Sequence, residues 1–335
     1  MWKNKKWNKR MLLSLLAVIL TAMLAACGAG STNQPSATPS SSSAASTPET
    51  TASPTPDQEA ETAYPLTLKD STGFELTFEK APAKVVSILS SETEILYAIG
   101  AGEQVVGVDD FSNYPPEALE KPKVGDVTTN IEAVLALEPD LVLASSTMNT
   151  AAVEQLRALN INVYATDPKT YDEVAQKIEL IGKIMNKQNE AAAVAGHMLT
   201  VKSEVTDKIK DAAKKSVFFD VSDGWTVGSG EFIDELISLA GGSNIAAEQQ
   251  GWFEADNEMV IKHNPDVILF SSYGGDTNAL VDGIAARSGW DAIEAVKNKA
   301  IFPINEDLVS RVGPRLADAL QAMSAAVHPE LFEAK

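Results

Sequence analysis

The chain has 335 residues, and its 46 acidic against 27 basic side chains give a formal net charge of −19. This acidity argues against nucleic acid as a partner, because phosphates require clustered lysine and arginine, although acidity can also serve solubility alone. Cys27 is the single cysteine, so an internal disulfide and a cysteine-based metal site are both excluded.

The N-terminus has the layout of an export signal. Five basic residues lie within 3–10, an apolar run follows over 11–20, and the segment closes with Leu24-Ala25-Ala26-Cys27. This ending resembles the lipobox of bacterial lipoproteins, which implies a signal over 1–26 and a lipid on Cys27. An uncleaved membrane anchor with a chance cysteine is the alternative. Cleavage would leave 22 basic against 46 acidic residues, a charge of about −24.

Residues 27–63 are predicted to form a disordered tether. They consist mostly of Gly, Ser, Thr, Ala and Pro, and a segment with so few bulky apolar side chains cannot bury a core. We therefore expect the fold to occupy residues 64–335, which is enough chain for two lobes.

Strands and helices alternate over residues 64–170, which predicts an N-terminal lobe with a mainly parallel sheet covered on both faces. The lobe is expected to open with a hairpin, and its first helix to begin at a capping box formed by Ser91 and Glu94. The other predicted elements are strands at 85–89, 105–108, 141–145 and 161–165, and helices at 131–137 and 151–159.

The pattern is helical over residues 171–214, the region predicted to connect the lobes. One apolar stripe recurs there at intervals of three or four, at Val194, Met198, Val201, Val205 and Ile209. An unbroken helix over 187–213 would be roughly 40 Å long and could span two lobes. A break near Met185-Asn186 and a plain helical hairpin are the alternatives.

A second alternation over residues 215–335 predicts a C-terminal lobe of the same kind. Its predicted elements are strands at 217–221, 266–271 and 300–304, and helices at 230–240, 257–264, 278–286 and 314–327. The predicted fold class is therefore α/β, with two Rossmann-like lobes joined by one long helix and a ligand cleft between them.

One short unit occurs in both lobes. Glu132 and Glu258 each lie seven residues before a Pro-Asp pair that opens an apolar strand. In each copy an asparagine, Asn130 or Asn257, is expected to cap the helix, and the glutamate in the first turn is favoured by the helix dipole. The repeat therefore predicts two similar lobes that carry a matched pair of carboxylates.

Ligand-contacting side chains are expected in the loops that follow the carboxyl ends of the strands. Aromatic rings there offer flat apolar area to a macrocycle or chelate, and Arg311 offers a positively charged fork to anionic groups. For each aromatic, a place in the core is the alternative. The candidates are Ser90, Ser91, Phe111, Tyr114 and Ser146 in the first lobe, and Trp225, Trp252, Tyr273, Asp307 and Arg311 in the second.

Neither catalysis nor direct metal binding is predicted. The chain has no Gly-x-Ser-x-Gly and no His-Glu-x-x-His motif. Its three histidines, His197, His263 and His328, lie in separate elements and are not expected to converge on a metal ion. We therefore expect a binding protein without a cofactor of its own.

The segments 84–89, 92–97, 102–108 and 114–118, together with the two Pro-Asp units, resemble the helical-backbone class of substrate-binding proteins. That class serves ABC importers of iron-siderophores, haem and cobalamin. The resemblance covers residues 84–328, and the stretch Tyr114-Pro115-Pro116 is most similar to the cobalamin-binding members.

The resemblance implies a monomeric lipoprotein on the outer face of the cell membrane that captures a metal chelate and delivers it to an ABC permease and its ATPase. It also implies a stiff connecting helix, and it places Glu132 and Glu258 against arginines of the permease, where carboxylates form charge-assisted bonds. Stabilisation of the helix dipoles alone is the alternative role for these two glutamates.

Trp252 and the loop that contains Asp307 and Arg311 also match ligand-contacting positions of the cobalamin-binding members. Two departures weaken a cobalamin assignment, because residues 125–129 contain no aromatic and Leu308 stands where those members have one. The identity of the chelate is therefore left open. A surface sensor or adaptor that binds a partner protein is the alternative function.

Overall fold

The computed structural model describes residues 61–222 and 224–332. The predicted signal (1–26), the lipidation site Cys27 and all but the last three residues of the predicted tether (27–63) lie outside this part of the chain. Within it, no helix has both the length and the apolar character that crossing a bilayer requires.

The N-terminal lobe is built on a four-stranded parallel sheet. Its elements are β1 (Leu66–Lys69), β2 (Glu75–Phe78), β3 (Val85–Ser87), α1 (Ser90–Ala98), β4 (Val105–Val108), α2 (Ile131–Ala136), β5 (Leu141–Ser145), α3 (Thr150–Ala158) and β6 (Val163–Thr166). The strands lie in the order β4-β3-β5-β6, whereas β1 and β2 form the predicted hairpin as a separate antiparallel pair. Apolar β-branched residues in short runs suit these strands, which are buried on both faces.

The predicted capping box at the start of α1 is wrong. The helix begins at Ser90, and Leu89 occupies the N-cap position without a side-chain hydrogen bond. Ser91 and Glu94 are buried inside the helix, and the Glu94 carboxylate accepts hydrogen bonds from two arginines of the C-terminal lobe. Because those partners are distant in sequence, the local Ser-x-x-Glu pattern gives no sign of them.

Two helices connect the lobes, α4 (Tyr171–Met185) and α5 (Gln188–Ile209). Asn186 ends α4 in the left-handed conformation, with a φ of 55°, so the break considered at Met185-Asn186 is present and the region is a helical hairpin. The second arm, α5, has 22 residues, which corresponds to about 33 Å. Thr62, near the start of the described residues, contacts the hairpin: its backbone N–H donates to Asn186 Oδ1 at 2.7 Å.

The C-terminal lobe repeats the parallel architecture, with strand order β12-β11-β7-β9 and a separate antiparallel pair of β8 and β10. Its elements are β7 (Lys215–Asp220), β8 (Trp225–Val227), α6 (Phe232–Leu239), β9 (Gly242–Asn244), β10 (Trp252–Glu254), α7 (Asn257–His263), β11 (Val267–Ser272), α8 (Thr277–Ala285), α9 (Glu294–Lys297), β12 (Ile301–Asn305), α10 (Glu306–Ser310), α11 (Leu316–Val327) and α12 (Pro329–Phe332). The predicted pair of α/β lobes with mainly parallel sheets is confirmed.

The repeated unit forms a helix followed by a strand in both lobes, but the two helices have different caps. In α2, Asn130 accepts a hydrogen bond from the first turn, as predicted. In α7 the cap is Asp256, which accepts from the N–H of Glu258, while Asn257 accepts from the indole of Trp290. The prediction that Asn257 caps the second helix is therefore wrong. When the two copies of the unit are aligned on Glu132 and Glu258, Asp256 occupies the position of Asn130.

One apolar core runs through both lobes and the hairpin. It includes Ile95 of α1, Ile178 of α4, Met198 of α5, Leu269 of β11 and Leu320 of α11, all fully buried. Two smaller cores lie on the opposite faces of the sheets, one under α2 and α3 and the other under α7 and α8. The lobes therefore share a packed interior, and moving them apart would expose apolar surface to water.

The arms of the hairpin lie in close contact at Gly182, where a Cβ would lie 2.2 Å from the Cβ of Ala191. We expect Gly182→Ala to push the helices apart and lower the free energy of unfolding by about 1–3 kcal/mol, as measured by urea denaturation. Gly196→Ala is the matched control, since a Cβ at this exposed position of α5 meets nothing within 4 Å. It should stabilise by up to about 1 kcal/mol through helix propensity. Equal stabilities of the two variants would contradict the close approach.

Candidate functional site

A cleft of about 980 Å³ lies between the two lobes. One wall is formed by the loops that follow β3, β4, β5 and β6, and the other by the start of α6, by β10, by the end of β11 and by α10. Carboxyl ends of parallel strands meet at one edge of a sheet, where α/β proteins bind their ligands. The volume lies at the upper end of the range for small-molecule sites.

Most of the predicted ligand residues lie in the lining of this cleft: Ser90, Ser91, Phe111, Trp252, Tyr273, Asp307 and Arg311. Phe111, Trp252 and Tyr273 are 57%, 51% and 87% exposed as whole residues. Large apolar groups left exposed in a concave surface are typical of binding sites. Phe111 comes from the N-terminal lobe and the other two from the C-terminal lobe, so a ligand in the cleft could contact aromatic faces on both walls. Contact of these residues with a ligand stays a prediction.

Three other candidates, Ser146, Tyr114 and Trp225, lie outside the lining. The ring of Tyr114 covers the guanidinium of Arg315, whose Cζ lies 4.1 Å from the ring centroid. Trp225 pairs with Glu254 across the β8–β10 ladder and is 48% exposed. The positions of Tyr114 and Trp225 follow from contacts within the protein that loop placement alone does not reveal.

Arg311 lines the cleft, but its guanidinium is held by protein groups. Its Nη1 donates to Glu94 Oε1 at 3.0 Å and to Asn113 Oδ1 at 2.8 Å, and its Nη2 lies 2.7 Å from Asp307 Oδ1. Arg315 donates to both oxygens of the same Glu94 carboxylate, from Nε at 2.8 Å and from Nη2 at 2.6 Å. We call Glu94, Arg311 and Arg315 the interlobe cluster, because the carboxylate belongs to one lobe and both arginines to the other.

A second buried ion pair lies beside the interlobe cluster. Lys177 of α4 donates to Glu92 Oε2 at 2.8 Å and to the carbonyl oxygen of Val312 at 2.9 Å. Thr166 donates its hydroxyl to the same carboxylate. Lys177 lies among the buried residues of α4, together with Val174 and Ile178. A lysine in an apolar helix face is rarely buried without a carboxylate partner, so this position is the sequence signal that could have indicated the ion pair.

Asp109 lies at the carboxyl end of β4, in the cleft lining, with 4% of its surface exposed. Burial raises the pKa of its carboxyl, and the hydrogen bond from the Ser112 hydroxyl opposes this change only in part. The amino group of Lys123 donates to the backbone carbonyls of Asp109 and Ser112 and does not contact the Asp109 carboxylate. The Asp109 carboxyl is therefore held by the Ser112 hydroxyl and not by a cationic side chain of the described residues.

Glu132 and Glu258 are both exposed and lie outside the cleft lining. Each is in the first turn of a helix that precedes a parallel strand, so it lies toward the carboxyl edge of its sheet, the edge at which the cleft opens. Among the residues that the structure describes, neither glutamate forms a salt bridge. Their geometry leaves both carboxylates accessible to another molecule.

No group of three or more His, Cys, Asp or Glu side chains within residues 61–222 and 224–332 is arranged to hold a metal ion. His328 instead contacts Glu330 and the carbonyl of Gly241, and His263 contacts the carbonyl of Met259.

The chain belongs to the periplasmic binding protein family, whose model matches residues 85–308. It is 34% identical over 280 residues to YvrC of Bacillus subtilis, an ABC transporter substrate-binding lipoprotein, and the match covers 81% of this chain and 88% of YvrC. The resemblance drawn from the sequence motifs is confirmed.

Solved structures share the fold. The periplasmic vitamin B12-binding protein BtuF of Vibrio cholerae superposes with a TM-score of 0.67 at 28% identity, covering 74% of this chain and 97% of BtuF. The periplasmic haem-binding protein RhuT of Roseiflexus sp. RS-1 superposes with a TM-score of 0.66 at 27% identity, covering 73% of this chain and 98% of RhuT.

The interlobe cluster predicts a large effect of removing its carboxylate. We expect Glu94→Gln to lower the free energy of unfolding by about 3 kcal/mol, because Arg315 would lose its carboxylate partner and Arg311 would keep only Asp307 as a counter-charge. Urea denaturation followed by circular dichroism would measure the change.

Glu190→Gln is the matched control for this change. It breaks the half-exposed pair with Lys187, at 3.5 Å, and exposed pairs contribute only about 0–1 kcal/mol. If Glu94→Gln were no more destabilising than this control, the cluster would not hold the lobes together.

Proposed function

We propose that this protein is the extracytoplasmic substrate-binding lipoprotein of an ABC importer and that its cargo is a metal chelate, either a corrinoid, an iron(III)-siderophore or haem. The observation that carries the proposal is the cleft of about 980 Å³ with aromatic rings exposed on both walls. Flat apolar faces suit macrocycles and chelates. Relatives whose names specify vitamin B12 and haem support this class of cargo.

In this proposal the metal enters as part of the cargo, and the protein carries no cofactor and performs no catalysis. Relatives of the chain are binding proteins rather than enzymes. The protein acts as a monomer, with both walls of the site supplied by one chain.

The lipid on Cys27 anchors the protein to the outer face of the cell membrane, and residues 27–63 act as a tether. The lipobox-like ending of the signal and the lipoprotein name of YvrC support this location. The charge of about −24 that remains after cleavage does not favour an anionic lipid surface, so the lipid supplies the attachment.

Glu132 and Glu258 dock the loaded protein on the permease. One exposed carboxylate on each lobe can form a charge-assisted, often bidentate bond with an arginine. Two such contacts on two rigid lobes would fix the orientation of the cleft relative to the entrance of the transporter.

Binding is tested with the soluble protein that starts after Cys27 and a panel of cyanocobalamin, haemin and ferrichrome. We expect at least one chelate to bind at a 1:1 ratio and to raise the melting temperature without turnover. A hundredfold excess over the dissociation constant stabilises by about 2.7 kcal/mol. Metal-free ferrichrome is the matched control for its iron complex. If no chelate in this panel or among further siderophores binds, the proposed cargo class is wrong.

Docking is tested by reversing both charges, in Glu132→Lys/Glu258→Lys. We expect uptake of the chelate by cells to be lost, because arginines of the permease would meet lysines, while the dissociation constant of the chelate stays unchanged. Glu179→Lys, at an exposed position of α4, is the control and should transport normally. A loss of affinity that accounts for the loss of uptake would place the two glutamates in ligand binding instead.

A further inference from the structure

The cationic side chains of the cleft are already paired with carboxylates of the protein. The lining contains three of them, Lys169, Lys177 and Arg311. Arg311 is held by Glu94 and Asp307, and Lys177 by Glu92. Lys169 at the rim lies 2.8 Å from Asp167.

Three carboxylates of the lining form no salt bridge within residues 61–222 and 224–332: Asp109, which is buried and accepts a hydrogen bond from the Ser112 hydroxyl, and the more accessible Asp110 and Glu231. Asp110 follows β4 in the N-terminal lobe, and Glu231 precedes α6 in the C-terminal lobe. Asp110 is exposed and Glu231 is half-buried, so each wall of the cleft contributes one carboxylate that a ligand can reach and that has no cationic partner.

An anionic ligand would therefore meet an unfavourable site. A carboxylate or catecholate that leaves water for the cleft needs cationic or N–H donors in return. Lys177 could turn to it only by leaving Glu92 buried without a counter-charge, which is strongly destabilising. Arg311 could turn to it only by giving up its bonds to Glu94, Asn113 and Asp307. Asp110 and Glu231 would in addition repel the anion across a medium that screens charge less than water does.

The same lining suits a neutral or cationic ligand with flat apolar faces. Phe111, Trp252 and Tyr273 offer aromatic faces on both walls. Carboxylates that lack a cationic partner accept hydrogen bonds from amide or amine groups and attract positive charge.

We propose that the cleft selects its chelate by charge. It accepts net-neutral or cationic chelates whose rim carries N–H donors, and it rejects chelates with free carboxylate or catecholate groups. This inference rests on the proposed function, since it concerns the cargo of the same cleft. Asp110 and Glu231 are the specificity-determining residues.

The test measures dissociation constants by quenching of tryptophan fluorescence for probes that differ in charge. Cyanocobalamin and ferrichrome are neutral, ferrioxamine B is cationic, and haemin and ferric enterobactin are anionic. We expect the tightest neutral or cationic probe to bind at least about tenfold more strongly than either anionic one at low salt. The ratio should shrink toward unity near 1 M salt, where the screening length is about 3 Å.

Variants connect the selection to its residues. In Asp110→Asn/Glu231→Gln we expect affinity for haemin to rise about fivefold or more as the repulsion is removed, while affinity for the neutral and cationic probes does not rise. Glu154→Gln, which removes a negative charge at an exposed position of α3 outside the cleft, is the matched control and should bind as the unchanged protein does.

The outcomes separate the two proposals. If haemin or ferric enterobactin binds most tightly, or if the double variant matches the control in its affinity for haemin, selection by charge is overturned while carriage of a chelate stands. If none of the five probes binds, both the selection and the proposed cargo class are overturned.

Discussion

The carboxylate of Glu94 lies where the two lobes meet, and it is buried. A carboxylate in that position requires cationic partners at hydrogen-bonding distance, and both partners, Arg311 and Arg315, come from the short segment that joins α10 to α11. The position of α1 under the cleft is thereby coupled to that segment. Lys177 strengthens the same junction, because its amino group binds Glu92 of α1 and the carbonyl of Val312. The floor of the cleft is therefore rich in charge but internally neutralised.

Because of this arrangement, only some of the residues predicted from the sequence to bind a ligand are available to one. Others bind groups of the protein. An arginine in a loop of a binding cleft suggests an anionic ligand, yet Arg311 binds protein carboxylates. The surface left for a ligand consists of aromatic rings, hydroxyl groups and uncompensated carboxylates. Relatives with the same fold and names that specify vitamin B12 or haem show that the architecture admits different cargo, so the side chains of the cleft must determine the choice.

Local signals in the sequence predicted the fold well. Alternating strands and helices, the apolar stripe of α5 and the two Pro-Asp units each depend on neighbours within a few residues, and all of them form the expected elements. Predictions failed where a local pattern competed with a distant partner. Glu94 has its partners 217 and 221 residues away, so its apparent capping role could not be judged locally. Tyr114 was likewise predicted to contact ligand, but its ring stacks on Arg315, a partner distant in sequence.

The core shared by the lobes and the α4–α5 hairpin has a consequence for the kinetics of capture and release. A cleft whose walls are fixed by common packing needs little ordering when a ligand arrives, so association is governed by diffusion and by the electric field at the cleft entrance. The same packing means that separating the lobes to release the cargo would expose apolar surface to water. In the proposed role, an unloading step that separates the lobes would have to be driven from outside the binding protein, by the ATPase cycle of the transporter.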